Sequence, residues 1–171
     1  LWQRVWPPWL PSQGFACLVR TRVRAWLELA RVAGRRDAPH ALRLHVRGHN
    51  FDIPLASATA ARFSFDDLCA KPLGAADYLE LARRYGTIFI DHVPTLDFAR
   101  RNEAKRFIIL IDVLYDSETR LFLSAANPPD DIYHVPAGLK AGEFTRTSSR
   151  LIEMTSVAWL EAWAGRQAEP V

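Results

Sequence analysis

The stretch from Gly86 to Tyr133 constrains the fold more than any other part of the sequence. A short apolar run, Thr87–Ile90, ends on an acid, Asp91, and a second apolar run, Leu121–Leu123, leads into Ser-Ala-Ala-Asn-Pro-Pro. Runs of this length, bounded by turn residues, are typical of buried strands, and the segment between them is long enough for a helix. Strand, helix and strand form the unit of a parallel sheet, so the sequence predicts an α/β fold.

The predicted helix, from about Asp97 to Tyr115, has a strong apolar face. Its members recur at spacings of three and four residues: Phe107, Leu110, Ile111 and Leu114. Ile109 and Val113 flank the polar stripe, so the second half of the helix is apolar nearly all round. Such a helix is expected to be covered on more than one side.

The ends of the two predicted strands carry the first candidate site. Ligands of open α/β sheets bind beyond the carboxyl ends of the strands, where Asp91 and Asn127 are expected. An acid there can hold magnesium in nucleotide hydrolases, and an Asn on the next strand can orient a water or a phosphate. The alternative is that Asp91 caps a turn and that Asn127-Pro128-Pro129 is ordinary turn chemistry. Without other evidence, the turn interpretation is the default.

Composition places the chain among globular proteins and excludes few functions. Its 171 residues suffice for one domain with a sizeable core, and a net charge of +3 is too small to indicate nucleic-acid binding. Cys17 and Cys69 show no metal-ligand spacing, which favours a reducing compartment, and Cys69 is expected to be buried and inert. No apolar run reaches membrane-spanning length. Because the first residue is Leu and not Met, we expect the chain to be a piece of a longer protein.

The chain divides into three parts by composition. Residues 1–38 begin with a Trp- and Pro-rich segment and continue with a basic amphipathic helix over Leu18–Ala33. That helix could dock on a membrane surface or a protein partner, although packing on its own domain is favoured. Residues 39–165 form the main domain, and residues 166–171 form a tail.

Alternation predicts a β-hairpin at the start of the main domain. Apolar residues alternate over Leu42–Val46 and again over Phe51–Leu55, around a three-residue connection, Gly48-His49-Asn50. The histidines of this region, His40, His45 and His49, lack an acid or thiol that would complete a metal site, so no metal site is predicted. A third strand follows at Ala61–Phe65. A helix then begins after Asp77 and ends at Gly86.

Two arginines near the C-terminus form the second candidate site. Arg146 and Arg150 share a face if their segment is helical, and the planar fork of arginine suits phosphate. The alternative is a surface helix with ordinary ion pairs. Ser156 is expected to cap a last helix over Val157–Ala164, with Gly165 as its end.

Several blocks of the sequence, in order, resemble one family. The blocks are Phe65-Asp66-Asp67-Leu68-Cys69, Lys71–Tyr78, Arg106-Phe107-Ile108, Leu110-Ile111-Asp112, Leu114-Tyr115-Asp116, Arg146-Thr147, Ser149-Arg150-Leu151 and Glu153-Met154. Over roughly residues 42–160 they look like the C-terminal half of the ZapE-type cell-division ATPases, whose eukaryotic relatives are the mitochondrial lactation-elevated ATPases. Several ordered blocks are far more specific than one short motif.

The resemblance implies a partial P-loop NTPase-like domain of the AAA+ class, with a mostly parallel sheet and an N-terminal β-hairpin. It implies ATP and Mg²⁺ as cofactors of the intact protein. It also implies protein partners, including the cytokinetic ring, and a role in division or in mitochondrial protein quality control. The location would be the cytoplasm, or the mitochondrion in a eukaryote. Homo-oligomers and peripheral membrane contact stay open, and nucleic acid is not expected.

The sequence departs from the family pattern at the phosphate-binding loop. None of the eight glycines is followed by Lys, so the Gly-Lys-Ser/Thr turn is absent, and neither ATP nor Mg²⁺ is expected to bind this chain tightly. The functional hypothesis is therefore an ATP hydrolase as the intact protein, with Arg146, Arg150 and Asp91 as candidate catalytic residues. Asn127 is the candidate for cofactor binding. The alternative is a protein-docking or assembly module without nucleotide chemistry.

Overall fold

A computed structural model describes residues 40–46, 48–134 and 142–168. Over these residues the chain forms a five-stranded sheet whose spatial order equals the chain order. The strands are β1 His40–Val46, β2 His49–Ala56, β3 Ala60–Ser64, β4 Thr87–Val93 and β5 Arg120–Ala125. β2 pairs antiparallel with both β1 and β3, whereas β3–β4 and β4–β5 are parallel pairs. Four of the five strands therefore run in one direction, and the predicted parallel pairing of the two apolar runs is confirmed.

Four α-helices and two short helical segments accompany the sheet in the described ranges. They are a π-helical segment Asp66–Ala70, α1 Ala75–Arg84, α2 Arg101–Asp116, a 3₁₀ segment Pro129–Asp131, α3 Gly142–Met154 and α4 Val157–Ala168. The strand–helix–strand unit predicted from the sequence is thus β4, α2 and β5. Its helix begins about four residues later than the apolar pattern suggested.

The main core lies between one face of the sheet and the helices. Ile88 and Ile90 of β4 are fully buried on that face, because alternate residues of a strand point to the same side. The predicted apolar face of α2 is also fully buried, with Phe107, Leu110, Ile111 and Leu114 at 0% exposure. α2 contacts α1, α3 and the π-helical segment, which confirms that it is covered on more than one side.

Cys69 lies inside this core. It is fully buried, and burial raises the pKa of its thiol far above the ordinary range for cysteine. A thiol held in its protonated form is a poor nucleophile. The expectation of a buried Cys69 is confirmed.

Five other predicted boundaries are wrong, three at strands and two at helices. The hairpin connection has two residues, 47 and 48, because His49 pairs with Val46 inside the ladder and the positive φ of Gly48 (+92°) makes the turn. The third strand ends at Ser64, one residue before Phe65. β4 continues through Asp91 to Val93.

The other two corrections concern helices. α1 begins before Asp77, whose side chain accepts a hydrogen bond from the Gly74 N–H at 2.9 Å and so caps the helix from within. α4 continues through Gly165 to Ala168, because a glycine inside a helix costs only about 1 kcal/mol and does not have to end it. The predicted cap at Ser156 is confirmed, since its hydroxyl accepts the Trp159 N–H at 3.1 Å.

Several predictions fall outside the described residues. These are the Trp- and Pro-rich segment, the basic helix Leu18–Ala33 and the end of the C-terminal tail. Among the helices that are described, none is long and apolar enough to cross a membrane.

Ser64 and Asp67 fix the start of the π-helical segment through reciprocal hydrogen bonds. The Ser64 hydroxyl and N–H both donate to Asp67 Oδ2, at 2.6 and 3.0 Å, and the Asp67 N–H donates back to the Ser64 hydroxyl at 3.2 Å. Burial acts to raise the pKa of Asp67, but these hydrogen bonds and the nearby Lys71 lower it overall. The ionised carboxylate therefore stabilises the fold.

Ser64→Ala is expected to lower the free energy of unfolding by about 1 kcal/mol at pH 7, because one hydrogen bond to a charged group is lost. The pKa of Asp67 is lower in the folded state, so this contribution is present above the unfolded pKa of about 3.9 and is lost as the pH falls through the folded pKa. Urea denaturation at several pH values would measure it. Ser117→Ala, at an exposed position after α2, is the matched control. An equal effect of both substitutions would contradict the assigned role of Ser64.

Candidate functional site

Asp91 lies inside β4, and its side chain points to the face of the sheet opposite Ile88 and Ile90. Its Oδ2 atom is 2.5 Å from Nε of Arg62 on β3, and the two side chains are 18% and 15% exposed. A charge-assisted bond between largely buried partners is strong, because little water competes for it. In this structure the carboxylate of Asp91 is therefore ion-paired with Arg62 of the neighbouring strand.

A β-bulge follows Asp91. The pairing of β4 with β5 shifts register between Ile90 and Val93, and His92 adopts a positive φ of 61°. That conformation is uncommon for a residue other than glycine and costs on the order of 1 kcal/mol. The His92 N–H points to the Ser124 hydroxyl of β5, at 3.3 Å. The bulge bends the carboxyl end of β4 at the edge where open α/β sheets bind ligands.

Asn127 follows β5 by two residues. Its Nδ2 donates to the Thr95 hydroxyl at 2.6 Å, which links the loop after β5 to the loop after β4. Asn127 thus lies just past the end of β5, as predicted, whereas Asp91 lies within the neighbouring parallel strand β4, two residues before its end. Each side chain is bound to a different partner, Arg62 for the acid and Thr95 for the amide.

Arg146 and Arg150 lie one turn apart on α3, as the sequence predicted, and both face α2. Asp112 of α2 accepts from both guanidinium groups: one carboxylate oxygen bonds to Arg146, and the other bonds to Nη1 of Arg150 at 2.5 Å. Arg150 also donates from Nη2 to Asp116 at 3.3 Å. The side chain of Arg146 is 62% exposed, whereas that of Arg150 is 20% exposed.

Tyr115 completes this cluster and connects it to α4. The Arg150 guanidinium lies 4.6 Å above the ring of Tyr115, and the same ring stacks on Trp159 at 4.9 Å. The Tyr115 hydroxyl donates to Glu153 at 2.8 Å, and this hydrogen bond to an acid raises the pKa of the phenol. We call Asp112, Tyr115, Asp116, Arg146, Arg150 and Glu153 the arginine cluster.

The arginine cluster distinguishes the two arginines chemically. Arg150 is held by two carboxylates and an aromatic ring, so moving it would cost several contacts at once. Arg146 has one carboxylate partner and a largely exposed guanidinium, which leaves donor N–H groups available to an incoming anion. Of the two candidates, Arg146 fits a phosphate more readily. Within the described ranges, no group of three or more His, Cys, Asp or Glu side chains could hold a metal ion.

Sequence reasoning missed the partners of the candidate residues. Asp112 and Asp116 have the same i, i+4 spacing as Arg146 and Arg150, so two matched pairs on two helices were a readable signal. Arg62 gave no comparable signal, because its pairing with Asp91 depends on the parallel register of β3 and β4.

The family model described as AFG1-like ATPase matches residues 16–162 of this chain. The chain belongs to the AFG1-like ATPase family. The match includes all four candidate residues, Asp91, Asn127, Arg146 and Arg150. The resemblance predicted from the ordered sequence blocks is thereby confirmed, and with it an ATPase-type family assignment.

Individual relatives support the same assignment. The Escherichia coli cell division protein ZapE is 34% identical over 142 residues, which is 81% of this chain and 35% of ZapE. The zebrafish lactation elevated protein 1 homolog B is 38% identical over 111 residues, 65% of this chain and 22% of that relative. An uncharacterized protein of Schizosaccharomyces pombe is 33% identical over 156 residues, 76% of this chain and 34% of its own length. The chain thus spans about a third or less of these relatives, and no solved structure matches it.

Proposed function

We propose that the intact protein hydrolyses ATP with Mg²⁺ and that this chain contributes arginines to the phosphate. The observation that carries the proposal is the AFG1-like ATPase match over residues 16–162. ATP would supply the phosphoryl group, and Mg²⁺ would neutralise part of its charge. The residues of this chain would bind and orient the phosphate.

Arg146 is the first candidate for the phosphate contact. Its guanidinium is mostly exposed and is bound to one carboxylate, so a phosphate can replace or share that partner. Arg150 is the second candidate, one turn away on the same face, and its bonds to Asp112 and Asp116 fix the position of α3 against α2. Asp91, near the carboxyl end of β4, and Asn127, two residues after β5, are further candidates for contact with the nucleotide or its metal.

The work done with ATP is proposed from the relatives. The Escherichia coli relative is named a cell division protein. The resemblance to the family described above implies a role in protein quality control in mitochondria. We propose that the intact protein acts on a protein partner, the cytokinetic ring in a bacterium. It would act in the cytoplasm there and in the mitochondrion of a eukaryote. Co-purification of the full-length protein with ring components during division would support this role, and its absence from dividing cells would exclude it.

The isolated chain is expected to show no ATP turnover and at best weak nucleotide binding. A phosphate loop holds the β- and γ-phosphates with backbone N–H groups and a Lys, and no glycine of this sequence precedes a Lys. Calorimetric titration of residues 1–171 with Mg-ATP would measure the affinity. Micromolar, Mg²⁺-dependent binding would contradict the expectation and would make Asp91 and Asn127 the first residues to replace.

A docking or assembly module without nucleotide chemistry is the second candidate function. The observation that favours it is the internal pairing of the charged candidates: Asp91 with Arg62, and both arginines with Asp112. Full-length protein without ATPase activity that still binds its partner would favour this function. ATP hydrolysis that requires Arg146 would exclude it.

A further inference from the structure

The two outer strands of the described sheet differ in chemistry. β1 has charged and polar side chains on one face, and Arg43 forms an exposed ion pair with Asp52 of β2, at 2.6 Å. Charges of this kind protect a sheet edge from pairing with other strands. After Arg120, β5 reads Leu-Phe-Leu-Ser-Ala and contains no charge, proline or bulge of its own. β5 therefore has the sequence of an internal strand.

The backbone of β5 offers hydrogen-bonding groups on the side away from β4. The Arg120 N–H donates to the Gly86 carbonyl at 3.0 Å, which shows that Arg120 directs its backbone groups toward the β4 side of the sheet. In a parallel pair, alternate residues bond to the same neighbour, so Phe122 follows Arg120 in bonding to β4. Leu121 and Leu123 direct their N–H and C=O groups outward, and no strand of the described residues pairs with that side.

An apolar pocket lies beside the same edge. Side chains of β5, of the loop after it and of α3 line the pocket: Leu121, Leu123, Pro128, Ile132, Leu151 and Met154. A strand placed next to β5 could insert alternate apolar side chains into this pocket, since successive side chains of a strand point to opposite faces. The edge supplies hydrogen bonds, and the pocket supplies apolar contact, which is how sheets accept an added strand.

We propose that β5 is an internal strand in the intact protein and that an apolar, extended segment from outside this chain pairs with it. The occupant is part of the same polypeptide, because the relatives are about three times as long as the stretch they share with this chain. The proposal rests on the proposed function only in taking the chain to be part of a longer ATPase.

Amide hydrogen exchange tests the proposal without requiring ATP hydrolysis. In the monomeric 171-residue chain, the amides of Phe122 and Ser124 are expected to be protected, and those of Leu121 and Leu123 to exchange rapidly. In the full-length protein, exchange of Leu121 and Leu123 should slow by about 100-fold or more, because paired strands open rarely. Rapid exchange of both leucines in the full-length protein would overturn the proposal. Protection already present in the monomeric chain would overturn it as well and would assign the edge to a segment of this chain.

A pair of matched substitutions provides a second test. Leu123→Lys places a charge on the β5 edge, and Leu42→Lys does the same on β1, where the leucine is also half-buried. In the 171-residue chain the two variants are expected to lose similar stability. In the full-length protein Leu123→Lys should cause the larger loss of melting temperature and should restore rapid exchange at Leu121. Equal losses in the full-length protein would identify β5 as a true edge.

Discussion

Arg146→Ala in the full-length protein is expected to lower the rate of ATP hydrolysis about a thousandfold, because an arginine that contacts a transferring phosphoryl group contributes factors of this size. The melting temperature should change little. The side chain is 62% exposed and has one ion-pair partner, and exposed ion pairs contribute only about 0–1 kcal/mol. Steady-state hydrolysis and thermal unfolding of the same preparation measure both effects.

Two further variants make this result specific. Arg146→Lys should recover little activity, since lysine keeps the charge but loses the two-pronged geometry. Lys105→Ala removes a cation from an exposed position on α2 and should leave hydrolysis unchanged. Normal hydrolysis by Arg146→Ala would remove this arginine from the phosphate site and would favour the docking-module function.

Arg150→Ala is expected to lower the free energy of unfolding of the 171-residue chain by about 2 kcal/mol. Removing one partner of a buried ion pair costs about 3–5 kcal/mol, and the remaining exposure of Arg150 and the second arginine on Asp112 reduce this loss. The variant also loses the contact with the ring of Tyr115, which stacks on Trp159 of α4. Urea denaturation at pH 7 measures the change.

A double-mutant cycle separates the ion pair from other effects of Arg150→Ala. The double variant Arg150→Ala/Asp112→Asn should lose less stability than the sum of the losses of the two single variants, by about 1 kcal/mol or more, because the residues are in contact. Strict additivity, or a loss below about 0.5 kcal/mol for Arg150→Ala, would make Arg150 an ordinary surface ion. In the full-length protein, any loss of hydrolysis beyond the loss of folded molecules would be evidence that Arg150 also contacts the phosphate.

The strand–helix–strand unit was predictable because its signals are local and strong. Each of its apolar patterns can be recognised from a few neighbouring residues: the apolar runs of β4 and β5, and the face of α2 that includes Phe107 and Leu114. The direction of the pairing followed from the helix between the two strands, since a crossover of this length joins parallel neighbours. The same reasoning placed Asp91 and Asn127 near one edge.

The sequence could not predict what the candidate side chains bind. The Arg62–Asp91 pair depends on residues that are 29 positions apart and are aligned by the register of two strands. The contact of Arg150 with Asp112 depends on how α3 packs on α2, 38 positions away. The bulge at His92 breaks the local rule against positive φ, so no propensity could indicate it. Patterns of neighbouring residues could not predict these features, because contacts between residues far apart in the sequence determine them.

The five strands lie side by side in the same order as they occur in the sequence, and this order has a consequence for folding. Each strand pairs with the strand made just before it, so no later strand has to insert between two that have already paired. The connections to be closed range from the two residues between β1 and β2 to the helical crossovers before β4 and β5, so no pairing of the described strands requires a loop longer than one crossover. Synthesis proceeds in the same direction. The hairpin can thus form while later strands are still being made on the ribosome, and each new strand has a finished template to join.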